Sequence, residues 1–230
     1  MKLIDLKIFL DTGTFEGLRY IDESKSRFVS FDMCLNFLET RHSISILELG
    51  TCRSFVDGKF EGCNSNDTIY WKPQSRSFWD WGAGCFSLVF GLLAKYDSLI
   101  TVDLMDSHIR RCKIMTDSLG ISCKHVVSDS LSFLASIDKQ FDLIYVDTGD
   151  MWPIQPTCEL QLKEVQKITE RGLLKDGGLL LIDDVLNGTP RELGDSINKF
   201  GKSEKSIPYL MNNGFDLMFE GYQYVFRKHQ

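Results

Sequence analysis

The sequence predicts an α/β fold in which a doubly wound, mostly parallel sheet of seven strands closes with an antiparallel hairpin. Short runs rich in Ile, Leu and Val recur along the chain, as in strands that are buried on both faces. Stretches with helical spacing of apolar residues separate these runs, and strand-helix alternation indicates a parallel sheet with helices on both faces. Two apolar-aromatic runs near the end of the chain, joined by a short polar turn, predict the hairpin.

The elements follow in order along the chain. A helix is predicted at about 25–40, where Phe28, Phe31, Leu35 and Leu38 share one face that would meet either the core or a partner subunit in a homodimer. Five buried strands are predicted at 44–49, 99–102, 125–127, 141–146 and 179–182. The intervening helices are predicted at 85–95, 107–119, 130–137 and 158–172. The hairpin strands are predicted at 215–219 and 222–226, with Glu220-Gly221 as the turn.

One segment, at about 53–81, interrupts the alternation of strands and helices. It is polar and aromatic and has no clear period. Long irregular segments inside compact domains are uncommon and often functional, which favours a lid or a loop facing the substrate. A surface hairpin without a chemical role is the alternative.

Composition limits the classes of protein to consider. A length of 230 residues predicts a single domain, 1–230, and a formal charge of −6 argues against a nucleic-acid-binding surface. The seven cysteines include no Cys-x-x-Cys pair, so neither a disulfide framework nor a zinc site is indicated and a cytoplasmic protein is expected. No apolar run approaches the ~20 residues that span a bilayer, and no membrane association is expected.

Small and acidic residues follow the predicted strands, at the sheet edge where ligands of doubly wound folds bind. Gly82 and Gly84 precede the helix at 85–95 and allow close approach of backbone to a ligand. Asp103 lies 19 residues after Gly84, near the spacing at which a carboxylate binds ribose hydroxyls. The next two strands are followed by Asp129, which could instead cap a helix, and by Asp147.

The chain resembles class I S-adenosylmethionine-dependent methyltransferases, whose fold is Rossmann-like. Five stretches carry the resemblance, at 46–51 (ILELGT), 100–103 (ITVD), 127–130 (VSDS), 141–147 (FDLIYVD) and 173–184 (LLKDGGLLLIDD). The resemblance implies that Glu48 and Gly50 line the methionine side of the cofactor and that Asp103 holds the ribose. It also places Asp129 beside the adenine. The neighbouring candidates for cofactor contacts are Thr51, Gly82, Gly84, Ser130 and Asp147.

Within that family, the similarity is greatest to metal-dependent O-methyltransferases that act on catechols and macrolide sugars. Their acidic metal ligands map to Asp147, Asp183 and Asp184, a set of oxygen ligands that suits Mg²⁺. Such an ion would hold the acceptor hydroxyl and lower its pKa. Catechol enzymes use a lysine base after the fourth strand, where this chain has Asp150, so Asp147 and Asp150 are the candidate catalytic residues and a different acceptor is favoured.

The favoured hypothesis is methyl transfer to a hydroxyl of a small molecule, either a sugar or a phenol. A nicotinamide-dependent oxidoreductase is the first alternative, because a glycine turn and Asp103 would also serve a dinucleotide. Its fingerprint, however, requires a third glycine where this chain has Ser87. A catalytically silent relative that acts as a binding subunit is the second alternative, and the missing lysine base motivates it.

Overall fold

A computed structural model of the chain describes residues 27–51, 55–57, 64–75, 78, 86–150, 153–185 and 200–229. The strands are β1 (Ser45–Leu49), β2 (Ser98–Asp103), β3 (Lys124–Val127), β4 (Phe141–Val146), β5 (Leu174–Ile182), β6 (Phe215–Glu220) and β7 (Tyr224–Lys228). The α-helices are α1 (Phe28–Glu39), α2 (Phe86–Leu93), α3 (Asp106–Ser118), α4 (Ser130–Ser136), α5 (Ile154–Glu170) and α6 (Ser206–Met211). Within the parts of the chain that the structure describes, no helix has both the length and the apolar composition required to cross a bilayer.

The strands form one seven-stranded sheet in the order β3-β2-β1-β4-β5-β7-β6. Strands β1 to β5 pair in parallel, whereas β7 pairs antiparallel with both β5 and β6. The predicted fold class is therefore confirmed. The strand order reverses between β1 and β4, and the edge of the sheet above this switch point is where ligands bind in doubly wound folds.

Alternation along the strands explains the two layers of helices. Neighbouring residues of a strand point to opposite faces of the sheet, so Ile46 packs in one apolar cluster and Leu47 in the other. The first cluster includes residues of α1, α2 and α3, and the second includes residues of α4, α5 and α6. All five residues of β1 are buried, because helices cover the sheet on both sides.

Helix α1 uses its apolar face within the chain. The Phe31 side chain is fully buried, and its ring makes edge contacts with Phe86, Phe90 and Tyr145 at centroid distances of 5.8, 5.4 and 6.1 Å. Of the two partners considered for this face, the core is the one observed. The homodimer remains a prediction, but this face of α1 no longer supports it.

Among the boundaries that differ from those predicted are the starts of β5 and α5 and the hairpin turn. Strand β5 begins at Leu174 and not at 179, because it tolerates an irregularity around Gly177, where φ is +66°. Helix α5 begins at Ile154, four residues before the predicted start at 158. The predicted position of the hairpin turn is also wrong by about two residues, because Glu220 belongs to β6 and β7 begins only at Tyr224.

The described part of the predicted insertion has local structure of its own. An antiparallel bridge joins Val56 to Trp71, and a short 3-10 helix spans Thr68–Tyr70. Phe55 is fully buried and its ring meets that of Trp71 in an edge contact at 5.9 Å. The segment therefore packs against the domain through aromatic side chains, while its predicted role as a lid or substrate loop remains a prediction.

Candidate functional site

A cavity of about 560 Å³ opens above the carboxyl ends of the parallel strands, at the switch point of the sheet. The loops that follow β1, β2, β3, β4 and β5 all contribute to its wall. Its volume lies within the range of small-molecule and cofactor sites, ~300–1,000 Å³. Eight predicted site residues line it: Gly50, Thr51, Asp103, Asp129, Ser130, Asp147, Asp150 and Asp184. The structure thus brings together, in one cavity, most of the residues that the sequence singles out.

Gly50 lets the loops after β1 and β4 touch. Its φ is +83°, and a Cβ atom at this position would lie only 2.3 Å from the Asp147 carbonyl oxygen. The Gly50 amide donates to the Val102 carbonyl at 2.9 Å, and the Asp147 amide donates to the Leu49 carbonyl at 2.8 Å. Only glycine combines this backbone conformation with so close an approach. The predicted importance of Gly50 therefore has a structural basis in the cavity floor.

Asp103 is held firmly at the end of β2 with its carboxylate facing the cavity. Its Oδ2 accepts the Thr51 amide at 3.0 Å, and its Oδ1 accepts the Met105 amide at 2.7 Å. His108 Nδ1 lies 3.1 Å from the same Oδ1. Burial alone would raise the pKa of Asp103, but these hydrogen bonds and the neighbouring imidazole lower it overall. The carboxylate is therefore ionised and can accept further hydrogen bonds from a ligand.

Asp129 caps a helix, as the sequence allowed, and also lines the cavity, while its place beside an adenine remains a prediction. Its Oδ1 accepts the Ser132 amide at 2.8 Å, which caps the N-terminus of α4. The same residue lines the cavity beside Ser130. The cap fixes the loop after β3, and this loop in turn shapes the cavity wall where the adenine was predicted.

Glu48 is fully buried beneath the cavity, and the structure does not place it in the described lining. Its Oε2 accepts the hydroxyls of Ser87 and Thr101, both at 2.5 Å, and that of Thr51 at 3.1 Å. Its Oε1 has no hydrogen-bond partner among the described residues. Glu48 thus ties the end of β1 to β2 and to the start of α2. A direct contact with the methionine side of a cofactor stays a prediction, and Gly82 and Gly84 lie outside the described residues.

The burial of Glu48 predicts a pH-dependent stability. Burial raises the pKa of Glu48 from 4.5 to about 7, although the three hydroxyl hydrogen bonds oppose the change. Between these two values the folded chain keeps the proton that the unfolded chain loses, so the contribution of Glu48 to stability is fully present below pH 4.5 and is lost as the pH rises to about 7. This difference corresponds to about 3 kcal/mol. We expect Glu48→Gln to remove that part of the pH dependence in denaturant titrations.

The exposed Glu39 provides the matched control for this measurement. Glu39→Gln is expected to reproduce the wild-type dependence of the unfolding free energy on pH between 4.5 and 7. Parallel curves for wild type and Glu48→Gln over this range would contradict a protonated Glu48.

The three aspartates predicted as metal ligands do converge. Oxygen atoms of Asp147, Asp183 and Asp184 all lie within 4.8 Å of one another at the ends of β4 and β5. Asp147 and Asp184 line the cavity, whereas Asp183 is fully buried behind them. We call these three residues the aspartate cluster.

Two cations that were not predicted from the sequence, Lys202 and Arg27, contact the aspartate cluster. Lys202 Nζ lies 3.0 Å from Asp147 Oδ1 and 2.7 Å from Asp184 Oδ2. Arg27 binds Asp183 through Nε at 3.2 and 3.1 Å and through Nη2 at 2.9 Å. Both side chains are at least nine-tenths buried, with 2% and 7% exposure. Neither lies in the five stretches that resemble methyltransferases. Arg27 directly precedes α1, and Lys202 lies 20 residues after the end of β5.

The charges within this group perturb one another. Burial would lower the pKa of Lys202, but Asp147, Asp184 and Asp183 raise it overall, so Lys202 is an ammonium. Burial would raise the pKa of Asp184, but Lys202 and Arg27 lower it. Burial and the adjacent Asp183 raise the pKa of Asp147, with Lys202 opposing. The cluster therefore places three aspartate side chains beside two positive charges.

The residues present do not fit a bound Mg²⁺ in this arrangement. An ion at the aspartate cluster would compete with Lys202 for oxygens of Asp147 and Asp184. It would also lie close to the Lys202 ammonium, and even two unit charges 4 Å apart repel by about 4 kcal/mol near a protein surface. The three aspartates are the predicted metal ligands, but Lys202 and Arg27 already supply the positive charge that a metal ion would bring to them.

Asp150, predicted as a catalytic residue, lies in the exposed part of the cavity wall. Its carbonyl accepts the Thr157 hydroxyl at 2.8 Å, which attaches the loop after β4 to the start of α5. A lysine does lie nearby in space: Lys202 Nζ is 3.0 Å from Asp147 Oδ1 and 3.4 Å from the Gly149 carbonyl oxygen, but its side chain is buried and is not part of the described cavity wall.

No family model and no curated protein matches this chain. Solved structures do match. A methyltransferase from Podospora anserina bound to S-adenosylhomocysteine is 18% identical, with 99% of this chain and 88% of that chain covered at a TM-score of 0.54. A candidate O-methyltransferase from Klebsiella pneumoniae is 13% identical, with 98% and 90% covered at a TM-score of 0.55.

The matches also include an rRNA methylase from Streptococcus thermophilus, which is 15% identical, with 86% of this chain and 96% of that chain covered at a TM-score of 0.50. At these identities the likeness concerns the fold, and proteins of one fold differ in the molecules that they methylate. The seven-stranded sheet, its strand order and its closing antiparallel hairpin give this chain the fold of class I S-adenosylmethionine-dependent methyltransferases.

Proposed function

We propose that this protein transfers a methyl group from S-adenosylmethionine to a hydroxyl of a small molecule, either a sugar or a phenol. The observation that supports this most is the cavity at the switch point, which Asp103, Asp129 and Asp147 line from the loops after β2, β3 and β4. Fold alone would not carry the proposal, because one fold serves many functions.

The described residues fit the nucleoside part of the cofactor. The amides of Thr51 and Met105 and the His108 ring already contact the carboxylate oxygens of Asp103, which fixes their position. A carboxylate has about four acceptor sites in all, so one remains for a further donor such as a ribose hydroxyl. Leu104 and Met105 line the cavity next to Asp103 and are exposed, so apolar surface is present for a base. When bound, S-adenosylmethionine supplies a methyl group on a positively charged sulfur.

The acceptor would lie on the other side of the cavity, near Asp147 and Asp150. A carboxylate at this place can accept a hydrogen bond from the acceptor hydroxyl and orient its oxygen towards the methyl group. The proposal does not include Mg²⁺, because Lys202 and Arg27 contact the aspartate cluster that was predicted to bind it.

A small-molecule acceptor is favoured over a nucleic acid by charge. The cavity wall has five aspartates, at positions 103, 129, 147, 150 and 184, against Arg27 and His108. Carboxylates around the entrance would repel a phosphate backbone, and the whole chain has a formal charge of −6.

The test is calorimetry with the purified protein, titrating S-adenosylmethionine and then NAD. We expect binding of the methyl donor in the micromolar range, about −8 kcal/mol, and none of NAD. Transfer of labelled methyl groups to sugar and phenol hydroxyls, with total RNA as a further acceptor, then identifies the substrate class.

Each alternative has its own result in this experiment. Binding of NAD without the methyl donor would favour the oxidoreductase. Binding of the methyl donor without transfer to any acceptor would favour the silent relative, and transfer to RNA alone would contradict the small-molecule acceptor.

A further inference from the structure

The Lys202 ammonium lies where a cation bound by the aspartate cluster would lie. It contacts one oxygen of Asp147 and one of Asp184 at 3.0 and 2.7 Å, and both residues belong to the candidate metal ligands. Lys202 itself is 2% exposed and is not part of the described cavity wall. Its charge therefore reaches the cavity through the two carboxylates that line it.

Most of the remaining oxygens of the aspartate cluster also have donors within the protein. Asp184 Oδ1 accepts the Tyr222 hydroxyl in a short hydrogen bond, and Asp147 Oδ2 lies 3.3 Å from the Tyr145 hydroxyl oxygen. Both oxygens of Asp183 are bound by Arg27, and Asp183 Oδ2 also accepts Tyr145 at 2.5 Å. Five of the six carboxylate oxygens of the cluster are thus bound by a side chain of this chain, and the sixth, Asp147 Oδ2, lies next to the Tyr145 hydroxyl, whose proton goes to Asp183.

The buried group formed by the aspartate cluster, Lys202 and Arg27 is close to electrically balanced without a metal ion. Three carboxylates face one ammonium and one guanidinium, so the buried group has a net charge of −1 when all are ionised. A divalent cation would turn this into +1 with Lys202 in place. Buried charges are tolerated when they are paired, and both buried cations here are paired with carboxylates of the cluster.

We propose that Lys202 takes the place of the divalent cation at the aspartate cluster, so that this protein works without a metal ion. The inference rests on the proposed methyl transfer and names how the acceptor side of that same site is organised. Lys202 is a positioning residue: it holds the carboxylates of Asp147 and Asp184 in place, and these contact the acceptor. The acceptor oxygen is then oriented by Asp147 and is not a metal ligand.

The first test measures metal binding directly, without substrate. Electron paramagnetic resonance of free Mn²⁺ is followed as wild-type protein is added. We expect no saturable binding below about 1 mM Mn²⁺, and an unchanged rate of methyl transfer in excess EDTA. One Mn²⁺ bound per chain in the micromolar range, lost in Asp183→Asn, would overturn the proposal.

The second test removes the ammonium. Lys202→Met leaves the aspartate cluster with Arg27 alone, so we expect Mn²⁺ affinity to rise at least about tenfold, because two negative charges are then uncompensated. We also expect kcat for methyl transfer without metal to fall at least about tenfold, with S-adenosylmethionine affinity unchanged. Lys202→Arg keeps the charge and is expected to exclude Mn²⁺ as the wild type does.

Lys205→Met is the matched control, because Lys205 lies three residues away, is more exposed and pairs with Glu159. It is expected to leave Mn²⁺ binding and turnover unchanged. The proposal would be overturned if Lys202→Met and Lys205→Met had the same Mn²⁺ affinity and the same kcat. If Lys202→Met does not fold in a thermal melt, wild type and Lys202→Arg still decide the question through Mn²⁺ binding. That readout is independent of the methyl donor, so failure of the proposed function would appear separately, as absent S-adenosylmethionine binding.

Discussion

Asp103→Asn is expected to weaken S-adenosylmethionine binding by about 100-fold or more, because hydrogen bonds from ribose hydroxyls to an ionised carboxylate are among the strong ones in proteins. The wild-type carboxylate has a lowered pKa and is fixed by the amides of Thr51 and Met105. An asparagine has one oxygen instead of two, so it can keep one of these amide contacts but cannot accept as many ribose hydrogen bonds. Calorimetry at neutral pH measures the change.

The control for this variant is Asp106→Asn at the start of α3. The Asp106 side chain is 66% exposed and is not part of the described cavity wall, so cofactor affinity should stay within about twofold of wild type. Thermal melts of both variants separate loss of binding from loss of folding. Wild-type affinity in a folded Asp103→Asn protein would remove Asp103 from the cofactor site and, with it, the main support for the proposed cofactor.

The parallel strands could be predicted from the sequence because helices bury them on both sides. Burial on both faces leaves an almost continuous apolar run, and such runs at 44–49 and 141–146 are found in the structure as β1 and β4 within one residue. The aspartates after these strands were predictable for a related reason, since parallel strands place their carboxyl ends along the same edge of the sheet.

The hairpin turn was mispredicted because two of its residues serve the site and not the strand. Tyr222 was counted with the apolar residues of the last strand, but its hydroxyl donates to Asp184. Gln223 next to it is fully buried and donates to Asp183 at 3.1 Å. An aromatic residue that is used for its hydroxyl looks the same in a sequence as one that is used for its ring.

The contacts of Lys202 and Arg27 with the aspartate cluster could not have been predicted, because no residue pattern near either position indicates an aspartate as its partner. Arg27 meets Asp183 across 156 positions of the chain and Lys202 meets Asp147 across 55. Single charged residues at such separations have no spacing rule, and only the folded chain brings them to the aspartate cluster. These two contacts matter for function, because with them the cluster predicted as a metal site is an internal network of ion pairs.

Gly50→Ala is expected to destabilise the protein by about 3 to 5 kcal/mol, from an unfavourable positive φ and from overpacking. The new Cβ would lie 2.3 Å from the Asp147 carbonyl oxygen, so the loops after β1 and β4 would have to separate. Because both loops line the cavity, cofactor affinity should fall together with stability. Urea titration followed by circular dichroism gives the first quantity and calorimetry gives the second.

Gly120→Ala separates the two causes. Gly120 has a similar φ of +68°, but a Cβ atom there would meet nothing within 4 Å. The Gly120→Ala change should therefore cost only the conformational part, about 1 to 2 kcal/mol, and leave cofactor binding unchanged because Gly120 is not part of the described cavity wall. The difference between the variants measures the close approach of Gly50 to Asp147. Equal destabilisation would mean that the loops after β1 and β4 can move apart freely, and the cavity floor could then not hold Asp147 in the position that the proposed chemistry requires.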